Sequence, residues 1–371
     1  MENEKYRIKV EAVTPVSVGG GDGASWKRGV DYLYKDGKVY HLDLERVRTI
    51  GRVDPGTLAE LLIRGDERGL MERIGSRLPQ VADCVMDCPL TMPFDIKTFI
   101  REGLSGRAYI PGSTLKGAIR SVLFTEWGKR EVRNAENARE MEDAVFGMMS
   151  DGSDFMRFVQ VGDIPFDHTG LVNTKIFNLH KDDGEWRGGW KHKREETTDS
   201  FLQTGFNTLY ECLMPRSVGY GTIVMHKKAF ELYGSKQPLY KEKSKLFDES
   251  EGYNTFENLC DIINSHTFDY LKKEEAFFLK YKHADNSEDI KNGIRRLQEI
   301  ANQCIEKADS CLLKMAAGSG FHSITGDWRY DDYDDTGFDG PKKKLKSRKI
   351  AAYGDPMRFN LMGFVKLTLE R

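Results

Sequence analysis

The stretch Tyr109–Phe124, YIPGSTLKGAIRSVLF, combines a proline turn, small residues and two cations at helical spacing. A helix that begins here would present unpaired backbone N–H groups and the positive end of its dipole to an anion. Lys116 and Arg120 are four residues apart, so they share one helix face and could bind successive phosphates. The alternative is a capped amphipathic helix with a solvated basic face, and the P-loop spacing is absent. The candidate contacts to a nucleic-acid backbone are Gly112, Ser113, Lys116 and Arg120.

A second candidate lies near the N-terminus, in VGGGDGASWKRG at residues 18–29. Three consecutive glycines would let this loop lie flat against a ligand, because they carry no Cβ. An aromatic ring beside two cations suits base stacking combined with phosphate contact. A flexible hairpin tip is an equally good interpretation. The candidate residues are Gly19, Gly20, Gly21, Trp26, Lys27 and Arg28.

A third candidate is AAGSGFHSITGDW at residues 316–328, where pliable backbone surrounds an aromatic ring and an imidazole. The histidine could act as a general base, stack on a nucleotide base, or pack within its loop. Packing is the commonest of these roles for a loop histidine. The candidate residues are Gly318, Ser319, Gly320, Phe321 and His322.

Chemistry of another kind would need carboxylates, and Asp31, Asp163 and Asp167 lie near strand ends, where each could bind a metal or activate a hydroxyl. Turn aspartates without such roles are far more common. Cys84 and Cys88 lack the second pair that a zinc site needs, and no HExxH or GxSxG pattern occurs. We therefore expect no bound metal and no cofactor.

The chain has 371 residues with 56 basic and 58 acidic side chains, so any nucleic-acid surface must come from local segregation of charge. With 39% hydrophobic residues the chain can bury a sizeable core. The N-terminus lacks the apolar region of a signal peptide, and no apolar run is long enough for a membrane span. We expect a cytoplasmic protein with reduced cysteines.

Strong periodicities place these candidates on elements. Alternation in YRIKVEA predicts a strand near residue 6, and Asp36-Gly37 predicts a hairpin turn. The second half of Tyr109–Phe124 predicts a helix capped by Ser113 or Thr114. Residues 241–315 have helical periodicity, and FNLMGFVKLTLE predicts a closing strand. This order is typical of an α+β fold, a sheet with helices on one face and large inserts.

Two charged segments lack a core pattern. Residues 179–206 contain glycine, tryptophan and charge, which predicts a long exposed hairpin or loop. An aspartate run at 331–335 precedes a basic run at 342–349, which is most simply a solvated loop. The expected organisation is a core at 1–240 with a thumb-like insertion at about 170–207, a helical insertion at 241–316, and a C-terminal part at 317–371.

Five blocks occur in order: TPVSVGGGDG, YIPGSTLKGAIRSVLF, FG at 146–147, VGDI at 161–164 and GSGFHSIT. This series resembles the RAMP superfamily of CRISPR effector proteins, and the first two blocks carry most of the resemblance. The resemblance implies a ferredoxin-like, RRM-type antiparallel sheet that binds CRISPR RNA. The insertion after residue 240, the GSGFHSIT loop and the closing LMGFVKLTLE are most similar to the fifth subunit of type III-A Csm complexes, which caps the guide 3′ end.

That resemblance implies a structural, non-catalytic subunit in antiviral defence, with CRISPR RNA, target RNA, a neighbouring RAMP backbone subunit and the small subunit as partners. The resemblance also suggests host trimming nucleases as partners. It implies no membrane partner. Two catalytic alternatives stay open. One is a metal-dependent endoribonuclease that cuts target RNA through Asp31, and the other is a guide-processing endoribonuclease that uses His322.

Overall fold

The computed structural model describes residues 4–21, 24–91, 93–131, 138–148, 150–194, 196–234, 240–241, 243–318 and 346–370, and the fold mixes helix and sheet. Its strands are β1 (Glu4–Ala12), β2 (Ser25–Trp26), β3 (Tyr32–Lys35), β4 (Lys38–Leu42), β5 (Ala82–Asp87), β6 (Ile96–Lys97), β7 (Ala108–Ile110), β8 (Val159–Val161), β9 (Ile164–Phe166), β10 (Gly170–Asp182), β11 (Glu185–Lys191), β12 (Thr197–Thr198), β13 (Asn207–Cys212), β14 (Val218–Met225), β15 (Ser310–Lys314), β16 (Ser347–Tyr353), β17 (Arg358–Leu361) and β18 (Phe364–Leu369). Its helices are α1 (Leu44–Thr49), α2 (Pro55–Arg64), α3 (Glu67–Ile74), α4 (Leu78–Val81), α5 (Gly112–Glu131), α6 (Ala138–Phe146), α7 (Lys227–Ala229), α8 (Thr255–Lys280) and α9 (Ser287–Lys307).

The main sheet has five strands in the order β15-β18-β1-β14-β8, and every neighbouring pair is antiparallel. The alternation in β1 has the predicted effect, because Ile8 and Val10 are fully buried while Arg7 is exposed. Leu115 of α5 and Phe256 of α8 belong to the same core as Ile8, so both helices cover this side of the sheet. The α+β class and the antiparallel sheet are confirmed.

A second sheet runs in the order β12-β11-β10-β13-β6-β2, with β16 paired to both β10 and β17. The segment at 179–206 forms the predicted hairpin, but it is not exposed along its length. Leu179 and Trp190 are fully buried in a core that also contains Phe278 of α8 and Ile294 of α9. The tryptophan at 190 is therefore used in packing, and the longest exposed parts are residues 181–185, around the turn, and 202–206.

A smaller unit between β2 and β6 in the sequence consists of α1–α4 and the sheet β3-β4-β5. It has its own buried cluster, which includes Leu33, Val47 and Leu70. The predicted hairpin turn is present, with φ of 50° at Asp36 and 75° at Gly37. In the sequence, this unit lies between Trp26 of β2 and Ile96 of β6, two residues that pair in the second sheet.

The region after residue 240 is helical as predicted, except at its end. α8 begins with a capping box between Asn254 and Glu257. Residues 310–314 form a strand, β15, rather than helix, because every second side chain enters the core under the main sheet. Of the described helices, none has both the length and the apolar character needed to cross a membrane.

Buried charges lie where α8 meets β15 and β16. Both carboxylate oxygens of Glu274 accept a hydrogen bond from Arg348 Nε at 2.9 Å, and both residues are buried. Arg348 also stacks over Phe277 at 4.0 Å. The basic run is therefore not wholly solvated, because its arginine neutralises a buried glutamate; residues 331–335 and 341–345 lie outside the described residues.

Candidate nucleic-acid interface

The first glycine segment follows β1, and backbone hydrogen bonds join it to distant parts of the chain. Val16 exchanges two backbone hydrogen bonds with Leu213, at 3.1 and 2.8 Å. Ala317 N donates to Ser17 O at 3.0 Å. Residues 14–18 are buried, whereas Gly19, Gly20 and Gly21 are exposed. The structure thus brings the first residues of the C-terminal glycine motif against the N-terminal one.

Residues 99–101 connect these loops to the start of α5. Ile100 N donates to Val18 O at 2.8 Å, and Gly19 pairs with Phe99. On the other side, Tyr109 N donates to Ile100 O at 3.4 Å. Two strand spacings place Tyr109 roughly 10 Å from the glycine loop. We call the exposed residues Gly19, Gly20, Gly21 and Ser113, together with the partly buried Gly318, the glycine-loop surface.

A buried carboxylate holds this connecting segment in place. Glu211 of β13 is fully buried and accepts a hydrogen bond from Phe99 N at 2.9 Å. The same carboxylate accepts from Thr169 Oγ1 at 2.5 Å and pairs with Arg101. Glu211 therefore fixes the strand that supports the exposed glycines.

The start of α5 differs from the expectation in its cap. Gly112 N donates to Asp163 Oδ1 at 2.7 Å, so this aspartate caps the helix rather than Ser113 or Thr114. A Cβ on Gly112 would lie 2.0 Å from Val161 O, so glycine is needed for the close approach of the β8–β9 loop. Gly112 is buried and has a packing role, and its predicted contact to RNA stays a prediction.

The two cations of α5 have different surroundings. Arg120 pairs with Asp154 at 2.8 Å and Glu142 at 3.5 Å, and stacks over Phe146 at 4.1 Å. Its charge is neutralised inside the protein, so the structure does not place it as a free phosphate ligand.

Lys116 is half-buried, and no carboxylate of the described residues forms an ion pair with it. Partial burial lowers the pKa of its ammonium, an effect that Asp154 opposes and Arg120 adds to. Of these two cations, Lys116 is the one available to an anion.

The residues after the glycines are mostly structural. Trp26 pairs with Ile96 in the second sheet, and its ring centroid lies 4.2 Å from that of His41. Arg28 Nε donates to Glu67 at 2.8 Å. Trp26 and Arg28 are thus held by internal contacts, and their predicted roles in stacking and phosphate binding stay predictions. Lys27 remains exposed.

The three candidate aspartates also have structural partners. Asp31 Oδ2 accepts from Lys27 N at 2.7 Å and stabilises a turn. Asp163 caps α5, and Asp167 pairs with Arg107 at 2.6 Å. No group of three or more metal-ligating side chains occurs within the described part of the chain. Ser319, Gly320, Phe321 and His322 lie outside the described residues, so their predicted roles stay predictions.

Sequence reasoning did not find Glu211, which organises the interface. The signal was available in NTLYEC, because Leu209 and Glu211 occupy the same face of a strand whose inward residues are buried. A carboxylate at an inward strand position must have partners, since an unpaired buried charge is very costly.

The sequence matches the RAMP superfamily over residues 9–329. A CRISPR system protein described as Csm5, from Methanocaldococcus jannaschii, is 20% identical over 362 residues, which cover 88% of this chain and 76% of that protein.

Two solved structures share the fold. One is a chain of the cryo-EM structure of a Csm–crRNA–target RNA ternary complex of a type III-A CRISPR-Cas system, with a TM-score of 0.62, 17% identity, and coverage of 99% of this chain and 100% of the other. The other is the crystal structure of T. onnurineus Csm5, with a TM-score of 0.64, 17% identity, and coverage of 96% and 99%.

Proposed function

Because this chain belongs to the RAMP superfamily, we propose that it is a structural RNA-binding subunit of a type III-A CRISPR ribonucleoprotein complex. The similar chain of a Csm–crRNA–target RNA complex covers nearly the whole length, which supports a subunit role over an isolated enzyme. Its guide contact is the glycine-loop surface together with Lys27 and Lys116.

The observation that carries this proposal is the assembly of three distant glycine-containing segments on one surface. The hydrogen bond between Ser17 and Ala317 joins the two loops, and Phe99 and Ile100 join them to the start of α5. Exposed glycines let a phosphate backbone approach closely, and the unpaired Lys116 supplies a charge for it.

The proposed position within the complex comes from the resemblance to the subunit that caps the guide, and the similarity to proteins described as Csm5 supports it. We place the chain at the 3′ end of the guide RNA, where it caps the complex and takes part in 3′-end maturation. Its partners are CRISPR RNA, target RNA, the neighbouring RAMP backbone subunit and the small subunit, with trimming nucleases acting on the free RNA end. Such a complex acts in the cytoplasm.

The subunit has no catalytic role of its own in this proposal. Asp31 stabilises a turn through Lys27, and Asp163 and Asp167 are used in a helix cap and an ion pair. A metal-dependent nuclease needs carboxylates that converge on an ion, whereas each of these three serves a separate local contact.

The finer fold is ferredoxin-like. Following the chain through β1, α5, β8, β14, α8 and β18 gives a βαββαβ path with the spatial strand order β18-β1-β14-β8. In this description β15 is an additional edge strand beside β18.

Replacing Lys116 with glutamine should weaken binding of a fluorescein-labelled U15 RNA to the full chain by about fivefold at low salt. One lost phosphate contact should reduce the slope of log K against log salt by about 0.7 for single-stranded RNA. Fluorescence anisotropy over a salt series measures both values.

The matched control is Lys228→Gln, which removes an exposed lysine elsewhere and should leave both values unchanged. Equal affinity and slope for Lys116→Gln and wild type would remove Lys116 from the interface. Cleavage of the RNA that requires Mg²⁺ and disappears in Asp31→Ala, or metal-independent cleavage that disappears in His322→Ala, would contradict the non-catalytic role.

A further inference from the structure

A groove of about 830 Å³ lies between α9, the β16–β17 hairpin and the ends of β1 and β18. No motif in the sequence marks it, because its lining comes from four separate segments of the chain. Residues at 11–13, 215–216, 289–303 and 353–366 contribute. None of its lining residues belongs to the glycine-loop surface.

Basic side chains outnumber acidic ones in the lining of the groove, and most of the basic ones form no ion pair among the described residues. Five basic and three acidic side chains line it, and Glu11 already pairs with Lys9 at 3.2 Å. Arg295 pairs with Glu275 at 2.8 Å. The remaining basic residues form no ion pair with any carboxylate that the structure describes; they are Arg216, Arg296, Arg358 and Lys366.

Two of these arginines act electrostatically on one tyrosine that also lines the groove. The charges of Arg358 and Arg296 and the side-chain amide of Asn360 all oppose the rise in the pKa of the Tyr353 hydroxyl. Burial still raises the pKa of Tyr353, so its hydroxyl stays protonated beside them. Two guanidinium groups with a neutral hydroxyl and an amide form a set of donors suited to phosphate oxygens.

Arg216 reaches the groove from a strained backbone. Its φ is 75°, a left-handed conformation that few residues other than glycine adopt. Its N–H donates to Ala12 O at 2.7 Å, which holds this conformation at the start of β14. The Arg216 side chain is exposed and lines the groove, so a cation lies at the rim.

Two of the chain segments that line the groove continue in sequence into the segments that hold the glycine loops. Val13 lines the groove, and four residues later Ser17 bonds the other glycine loop. Asn360 also lines it, and two residues later Met362 packs beneath Gly318. The groove and the glycine-loop surface are therefore carried by the same two stretches of chain, only two to four residues apart in sequence.

We infer that the Arg216–Arg296–Arg358 groove is a second phosphate-binding track that holds single-stranded RNA as it leaves the glycine-loop surface. This inference rests on the proposed RNA-binding function, which favours RNA over an acidic peptide as the polyanion. The arginines contact phosphates, so the track reads no base sequence.

The test is anisotropy of labelled U15 with the full chain and the triple variant Arg216→Gln, Arg296→Gln and Arg358→Gln. We expect at least a tenfold loss of affinity at low salt and a salt slope lower by about 2, since each lost contact removes about 0.7. The matched control is Arg64→Gln, Arg68→Gln and Arg73→Gln, three exposed arginines of α2 and α3. Both variants should keep the wild-type melting temperature, because exposed side chains contribute little to stability.

An unchanged affinity and slope in the groove variant would overturn the inference. If only Lys116→Gln loses affinity, the groove inference fails while the proposed function stands. If the wild-type chain binds no RNA, the proposed function itself fails. Binding of a labelled 15-residue polyglutamate as tight as that of U15 would overturn the assignment of RNA as the ligand.

Discussion

Replacing Glu211 with alanine should lower the free energy of unfolding by roughly 1–3 kcal/mol, the usual result of leaving a buried donor without its acceptor. The carboxylate is fully buried and holds Phe99 N, Thr169 and Arg101 together. Its loss leaves a backbone N–H without an acceptor and a guanidinium without its counter-ion. Urea unfolding followed by circular dichroism measures the change.

The same variant should bind RNA less well, because the Phe99–Gly19 pairing depends on the segment that Glu211 fixes. The matched control is Glu72→Ala, which removes an exposed ion pair with Arg68 and should cost under about 1 kcal/mol. If Glu211→Ala unfolds at the urea concentration of the wild type, the carboxylate does not organise this interface.

Replacing Lys314 with methionine should stabilise the protein by roughly 2–4 kcal/mol at pH 6. Burial lowers the pKa of the Lys314 ammonium to about 7, from an ordinary value of 10.5. At pH 6 the wild type therefore keeps a charged amine in the core beside Tyr270 and Phe364. Methionine removes that desolvation cost, and the loss of the hydrogen bond to Tyr270 offsets about 1 kcal/mol of the gain.

The pH dependence has a definite sign. Between pH 7 and 10.5 the unfolded chain binds one proton more than the native chain at this lysine, so wild-type stability rises with pH by about 1.4 kcal/mol per unit. Lys314→Met should lose this rise, whereas the exposed-site control Lys228→Met should keep it. Destabilisation at pH 6, or an unaltered slope, would show that the charged amine is well solvated in the native state.

The helix of YIPGSTLKGAIRSVLF shows what the sequence could predict. Its apolar stripe is correct, since Leu115, Ile119 and Leu123 are all fully buried. Such periodicity is a property of local sequence and depends little on the rest of the fold. The hairpin at Asp36 and the closing strand are confirmed too, because their signals are also local in the sequence. The predicted antiparallel sheet is confirmed as well.

The helix cap and the surroundings of Arg120 were not predicted, because both depend on partners far away in the sequence. Asp163, which caps α5, lies 51 residues from Gly112 in sequence. Asp154, the ion-pair partner of Arg120, lies 34 residues from it. An amphipathic pattern shows that a cation is off the apolar stripe, but it cannot show which carboxylate faces it. The backbone that approaches Gly112 is that of Val161, which the local sequence also cannot show.

Cross-linking of the full chain to a 4-thiouridine-substituted RNA, with the modified peptides identified by mass spectrometry, is the most direct test of the RNA-binding account. We predict cross-links in the peptides that contain residues 17–27 and 113–117, and their reduction at high salt. Cross-links absent from both peptides, or confined to α2 and α3, would contradict the account.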